Sequence, residues 1–439
     1  MYCNSIYPFF LEIRNQYYNS KYHCGTLSDY LYINPKTDCS NLSDNDIVSF
    51  VPMTNVQEKT NIVTYNQVPF KQVKKGFTVF SKGDIIWAKI TPCMQNGKSC
   101  STDNMPTNIG FGSTEFHVIR RRKDNVYMPF IWALLSNDNI LKAAQATFSG
   151  SAGQQRVSDS FISEFPATIP SYDEQVELVK NLESALCNKN NKLQQANELF
   201  TFIDSILLST LGLKFPEFNS QLTRAVHLSN IKADKTFGTG YYHPERMSVI
   251  STLKASGILC KKIDDVVNFI RETIISENNP QNYLGLAGVE ADTGELSGIN
   301  EDADGQAFLY EKNDVLYGRL RPYLNKVLLA EKKGICSTEF HVMRVKHTKE
   351  LLPEYLATVM RSKLIVSQTK HMMTGNTHPR ISNDDVKNLY IPIPDIKVQQ
   401  KISKAVLANK KKARHLKIEA EHDWQVAIEQ FEKELLGDR

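Results

Sequence analysis

Two glycine-rich loops carry residue types suited to contacting nucleic acid. TFSGSAGQQRVS (Thr147 to Ser158) and MTGNTHPRIS (Met373 to Ser382) mix small and amide-bearing residues with one arginine each. Small residues let a backbone approach closely, Gln and Asn can bond adenine edges in pairs, and Arg reaches guanine or phosphate. The candidates are Gln154, Gln155 and Arg156 in the first loop, and Asn376, His378 and Arg380 in the second. Arg156 or Arg380 can equally tie down a helix end, as in an ordinary loop. Lys89, Gln95, Asn96 and Lys98 follow one predicted strand, and Arg319, Arg321, Asn325 and Lys326 follow its counterpart. Those stretches can face a groove or simply keep a surface soluble.

Chemistry that leaves a sequence signature is missing. There is no GxxxxGK[ST] phosphate loop, no GxGxxG, no HExxH, no GxSxG and no Asn-Pro-Pro-aromatic tetrad. Asp395 and Lys397 have the spacing of a nuclease half-motif but lack an upstream acidic partner. No catalytic residue is therefore assigned. Glu115 and His117 share one strand face, as do Glu339 and His341, yet two ligands do not make a metal site. A strand with polar residues on an exposed face is the favoured reading, and no metal is expected.

The composition is that of a soluble chain with room for two ordinary cores, 439 residues with 41% hydrophobic and 23% charged. Net charge is only +4, too small by itself to announce nucleic acid. Eight cysteines without a CxxC pair read as scattered reduced thiols. No run is long and apolar enough to span a bilayer and the start lacks a secretory pattern, so a cytoplasmic location with no membrane contact is expected.

The chain repeats itself. STEFHV occurs at Ser113 to Val118 and again at Ser337 to Val342, and the offset of 341 − 117 = 224 persists through Pro129 and Pro353, Ala133 and Ala357, Arg156 and Arg380, and Gln175 and Gln399. Upstream, GDIIWAKITP (Gly83 to Pro92) aligns with NDVLYGRLRP (Asn313 to Pro322). FVPMTNV (Phe50 to Val56) likewise resembles YLGLAGV (Tyr283 to Val289). Each copy reads as strands, a short helix opened by proline, a loop and a closing strand. The first copy has the shorter lead-in, trimmed or diverged.

Each copy ends in a long helical seam of apolar residues at steps of three, four or multiples of seven. The first runs through Leu182, Leu186, Leu193, Phe200 and Ile203, the second through Ile402, Leu416, Trp424 and Phe431. Roughly 40 residues at about 1.5 Å each give a rod of about 60 Å, which needs a partner for its seam. The other seam supplies one. The expected fold is a mixed α/β (α+β) chain of two tandem sheet-rich domains at 1–168 and 214–392. Each is followed by a long helix, at 169–213 and 393–439, the two packed as an antiparallel coiled coil.

The duplicated plan, the GDIIWAKI/NDVLYGRL and STEFHV strands, the loops ending in Arg156-Val157-Ser158 and Arg380-Ile381-Ser382, and the IP…EQ entrance at Ile169, Pro170, Glu174 and Gln175 resemble the specificity subunits of type I restriction-modification systems. The second entrance departs from it, with Val398-Gln399 for Glu-Gln. The resemblance implies a non-enzymatic, phage-defence subunit that binds double-stranded DNA through two target-recognition domains spaced by the helices. It also implies two methyltransferase subunits using S-adenosylmethionine and motor-endonuclease subunits using ATP and Mg, with no cofactor on this chain. Open alternatives are a DNA-binding adaptor or regulator of another defence system acting without methyltransferase, and a nuclease with an unrecognised site.

Overall fold

The computed structural model describes residues 7–150, 154–218, 225–229, 231, 236–276, 283–299, 301, 305–375 and 377–437. Its contacts divide the chain into two compact units, Met1–Leu193 with Lys417–Arg439, and Gln194–Leu416.

In the first unit the apolar run Ile85–Ala88 is an inner strand, hydrogen-bonded to Phe116–Arg121 on one side and Ser99–Ser101 on the other, with Leu31–Ile33 completing a four-stranded sheet. Such a strand has no solvent face, which is why it reads Ile-Ile-Trp-Ala without alternation. The helices Met128–Leu135 and Asp138–Gln145 join the same core. Trp87 Nε1, inside this core, donates to the Leu135 carbonyl at 3.2 Å and ties sheet to helix.

The second unit repeats this sheet strand for strand, in the order Val267–Ile270, Phe340–Val345, Val315–Gly318, Val327–Leu329. A second four-stranded sheet shares three strands between units but not the fourth. In the first unit Asn66–Pro69 pairs with Ile47–Val51 at one edge. In the second, Thr273–Ser276 pairs with Gly305–Tyr310 at the opposite edge. The short lead-in of the first copy is not missing its helix: Tyr7–Tyr18 contacts Asp138–Gln145 as Pro244–Ala255 contacts Lys363–Thr369.

The STEFHV strands correct an expectation. Their histidines are not on an exposed face: His117 is 4% and His341 2% exposed. Phe116–Arg121 and Phe340–Val345 are the other inner strands, so both faces are covered where the histidines stand. His117 lies opposite Trp87 with ring centroids 6.3 Å apart, and His341 opposite Tyr317 at 6.1 Å.

Two buried carboxylates brace these strands. Asp84 accepts from Arg120 Nε and an Nη at 2.8 and 2.7 Å, and Asp314 accepts the same pair from Arg344 at 2.8 Å each. Both aspartates also cap the preceding turn, from Ser81 N–H at 2.6 Å and Glu311 N–H at 2.8 Å.

The first long helix, Tyr172–Thr210, opens with a capping box: Ser171 N–H donates to Glu174 and Glu174 N–H to Ser171 Oγ. Gln175, fully buried, then accepts from Tyr127 N–H and donates to the Asn125 and Pro170 carbonyls. Gln399 repeats all three bonds, with Leu352, Glu350 and Pro394, at the start of Ile396–Leu436.

Within the first unit the helices run antiparallel, Lys189 pairing with Glu421 and Lys192 with Glu419. Leu182 is buried in one core with Trp424 and Phe431, and Leu186 packs against it. Trp132 and Phe130 of the domain meet Trp424 and Phe431 at 6.3 and 5.8 Å between ring centroids. Leu193 is half-buried. A lysine occupies the seam that the leucine spacing reserves for an apolar residue. Lys189 is buried along its stem, 5.4 Å from the Trp424 ring, with its ammonium on Glu421 at 2.8 Å. In the second unit Phe200 and Ile203 share a core with Ile402, and Leu416 packs against it.

Replacing Gln175 with Leu strands the buried Pro170 carbonyl and takes a partner from the part-buried Asn125 carbonyl and Tyr127 N–H, and costs about 1–3 kcal/mol in denaturant unfolding. A loss within error would show that water replaces the amide.

Acid should weaken the second unit. Burial, with the Arg319 charge beside it, pushes His341 from 6.5 down to about 3. Between those values the unfolded chain takes up a proton that the folded chain refuses. Stability is intact above about pH 6.5 and falls toward pH 3, on the order of 1 kcal/mol per pH unit. Melting curves of His341→Gln should show a flatter acid limb than the unmodified chain, and equal slopes would place the acid sensitivity elsewhere.

Candidate nucleic-acid interface

In each unit three separate stretches meet at one corner, and backbone bonding brings them there. The strand Ile85–Ala88 runs on into Lys89, whose N–H donates to the Glu115 carbonyl at 2.9 Å and whose carbonyl accepts from Val157 N–H at 3.0 Å. Two residues later Thr91 N–H donates to Gln155 O at 3.0 Å. Arg319 does the same in the second unit, donating to Glu339 O at 2.8 Å and accepting from Ile381 N–H at 3.0 Å, and Arg321 N–H donates to Pro379 O at 2.7 Å. The glycine-rich loops close on themselves through paired bonds, Ser149 with Arg156 and Thr374 with Arg380.

The loop arginines are spoken for. Arg156 places Nε and an Nη on the two Glu115 oxygens at 2.8 and 2.7 Å and another Nη on Gln154 O at 3.0 Å. Arg380 grips Glu339 at 2.7–3.0 Å and His378 O at 3.3 Å. Arg156 holds Glu115 below the usual carboxylate range, and each carboxylate raises its arginine further. A guanidinium with two donors on a carboxylate is a brace for the loop rather than an open phosphate clamp.

The remaining candidates divide by placement. Lys89, Arg319 and Gln155 are half-buried at the corner, while Gln154, Arg321 and His378 are exposed. Arg321 has a left-handed backbone, φ 49°, and an Nη donating to Thr377 O at 3.4 Å. Gln95 is half-buried, and Asn96 is exposed with its amide on Glu58 at 2.9 Å. Lys98 and Lys326 turn inward to equivalent carbonyls, Met53 O at 3.5 Å and Leu286 O at 2.8 Å, and burial pushes the Lys326 ammonium down. Asn325 is buried, its amide donating to Arg361 O at 2.7 Å and Asp292 at 3.3 Å. That position is internal because the turn after Pro322 folds its side chain against the helix Pro353–Arg361. Asn376 lies outside the described residues.

Sequence reasoning passed over the Asp84–Arg120 and Asp314–Arg344 braces. The signal was available, since the Asp of GDII/NDVL and the Arg after STEFHV recur together in both copies.

Each unit also has a groove beside its long helix. One, of about 400 Å³, is lined by Trp132, Ala133, Val179, Leu182, Glu183 and Leu186 among others. The other, of about 380 Å³, is lined by Ala357, Arg361, Ser403, Val406, Leu407 and Lys410 among others. Ala133 and Ala357, Leu182 and Val406, and Leu186 and Lys410 are related by the repeat offset of 224 (357 − 133). The walls correspond in position, and beyond the shared alanine these paired residues differ in type.

A family model described as the type I restriction modification DNA specificity domain matches residues 20–199 and again 259–415. Two Escherichia coli relatives, the type I restriction enzyme EcoAI and EcoEI specificity subunits, are 36% and 34% identical over 155 residues. That stretch is 35% of this chain and 26% of each relative, so the match spans about a quarter of their length. Among solved structures, the HsdS subunit from Thermoanaerobacter tengcongensis gives a TM-score of 0.34 at 15% identity, covering 90% of this chain and 92% of that one. The S subunit of a type I restriction-modification system from M. genitalium gives 0.42 at 13% identity, covering 94% and 96%. The two family matches take in both corners, both grooves, most of the first long helix and about half of the second, and the chain belongs to the type I restriction modification DNA specificity domain family.

Proposed function

We propose that this chain is the DNA-recognition subunit of a type I restriction-modification complex, non-catalytic in itself and acting in the cytoplasm. Residues 1–168 and 214–392 each read one half of a split target, and the helices at 169–213 and 393–439 fix the unread gap. What supports this most is the same three-stretch corner, built twice with the same hydrogen bonds, in a chain matched twice by one DNA-specificity family.

In this reading Lys89, Arg319 and Arg321 position each domain on phosphates, while exposed amide and imidazole groups such as Gln154 and His378 reach base edges. Arg156 and Arg380 act one step back, holding the loop through Glu115 and Glu339. The differing edge strands give the two domains different surfaces on a common frame, as different half-targets require. Two methyltransferase subunits carrying S-adenosylmethionine bind in equivalent poses, for which the paired grooves offer repeated seats. Motor-endonuclease subunits using ATP and Mg join them.

The deciding experiment maps adenine methylation in a host expressing this chain with its methyltransferase, with and without the gene for this chain. A split motif with a fixed gap should vanish on deletion. An unchanged methylome with active methyltransferase would favour an adaptor without modification, and metal-dependent cleavage by the purified chain alone would favour a nuclease.

Arg321→Ala should weaken binding of the assembled complex on target and non-target DNA alike and lower the slope of log affinity against log salt by about 1. An unchanged slope would remove Arg321 from the phosphate contacts.

A further inference from the structure

The segment GTGYYHPERM, between the two family matches, carries a second cluster that the DNA-reading role does not use. His243 caps the helix Pro244–Ala255, its ring accepting from Glu245 N–H, so His243 and the side chain of Glu245 lie at one helix end. His371, just past the helix Lys363–Thr369, stacks on His243 with ring centroids 3.3 Å apart and planes 16° apart. Its Nε2 is 3.0 Å from Glu245 Oε2. One ligating atom from each of the three residues lies within 4.8 Å of the other two.

We propose that His243, Glu245 and His371 form a binding site for a divalent transition metal of the Zn²⁺ class. Two imidazoles and a carboxylate are a donor set that suits zinc, and donors sharing a tetrahedral zinc stand about 3.3 Å apart, close to the His371–Glu245 spacing. A metal takes both imidazoles as neutral ligands through a ring nitrogen. The carboxylate is buried and already oriented as a ligand needs. Its Oε1 accepts from Ser367 Oγ at 2.7 Å, which leaves Oε2 on the histidine side. The competitor is Lys370, whose ammonium sits 2.7 Å from the same Oε2. Lys370 is part-exposed on a flexible stem, so an incoming cation can displace it into water.

The site belongs to the second unit. The repeat offset puts Thr147 where His371 stands, and Thr147 bonds the Ala144 carbonyl instead. A bound metal would pin the lead-in helix to the residue pair that opens the Met373–Ser382 loop. A close backbone approach already exists there, since a Cβ on Gly240 would collide with the His371 carbonyl oxygen.

The test uses the full-length chain, freed of metal by chelation and titrated with Zn²⁺ alone by calorimetry, then with Co²⁺ followed by visible absorption. One equivalent should bind at micromolar affinity or tighter, with a Co²⁺ band of low-coordinate nitrogen and oxygen ligation. Affinity should fall at least tenfold in His371→Ala, a part-exposed position that leaves the fold intact by circular dichroism, and rise several-fold in Lys370→Met. No binding by either the unmodified chain or Lys370→Met would overturn the site, as would unchanged affinity in His371→Ala.

Discussion

A strand that runs off the edge of its sheet leaves N–H and C=O groups that must find partners or pay the cost of burial unsatisfied. At Lys89 and Arg319 those partners come from two distant stretches, the STEF corner and the residue after the loop arginine. The candidate surface depends on that junction. It fixes where the glycine-rich loop begins its return, which in turn puts Arg156 and Arg380 against Glu115 and Glu339. The buried Asp84–Arg120 and Asp314–Arg344 pairs hold the same strands from the other end, and breaking one would leave a buried charge without compensation.

Duplication explains which features are shared and which are not. Braces, cross-strand aromatic–histidine pairs, buried entrance glutamines and inward lysines recur residue for residue, because each satisfies groups that the fold itself buries. The fourth strand of the second sheet, the lead-in and the loop contents differ, because they sit at edges where burial dictates less. Variation confined to edges lets one frame present two surfaces.

The long helices were legible from spacing alone, and so was the repeat. Their partnership was only partly so: the seam skipped position 189, where Lys189 is buried through an ion pair and an indole ring that belong to the other helix. Period analysis cannot see a lysine whose stem is apolar and whose charge is answered from 232 residues away. The STEFHV histidines misled for a related reason. Alternation describes a strand with one wet face, and these strands are inner members of sheets covered on both sides.

Local pattern determined the order of elements, the doubling of the plan and the stretches that could meet nucleic acid, since periodicity, turn residues and self-similarity are properties of neighbours in sequence. Tertiary structure alone decided what each polar side chain faces. It turned Asn325 and Lys326 inward to carbonyls, spent Arg156 and Arg380 on carboxylates 41 residues away, left Arg321 exposed, and gathered His243 and Glu245 with His371, which lies 126 residues beyond Glu245. A side chain's role follows from its partners' identity and solvent exposure, and those are fixed only when distant segments close on one another.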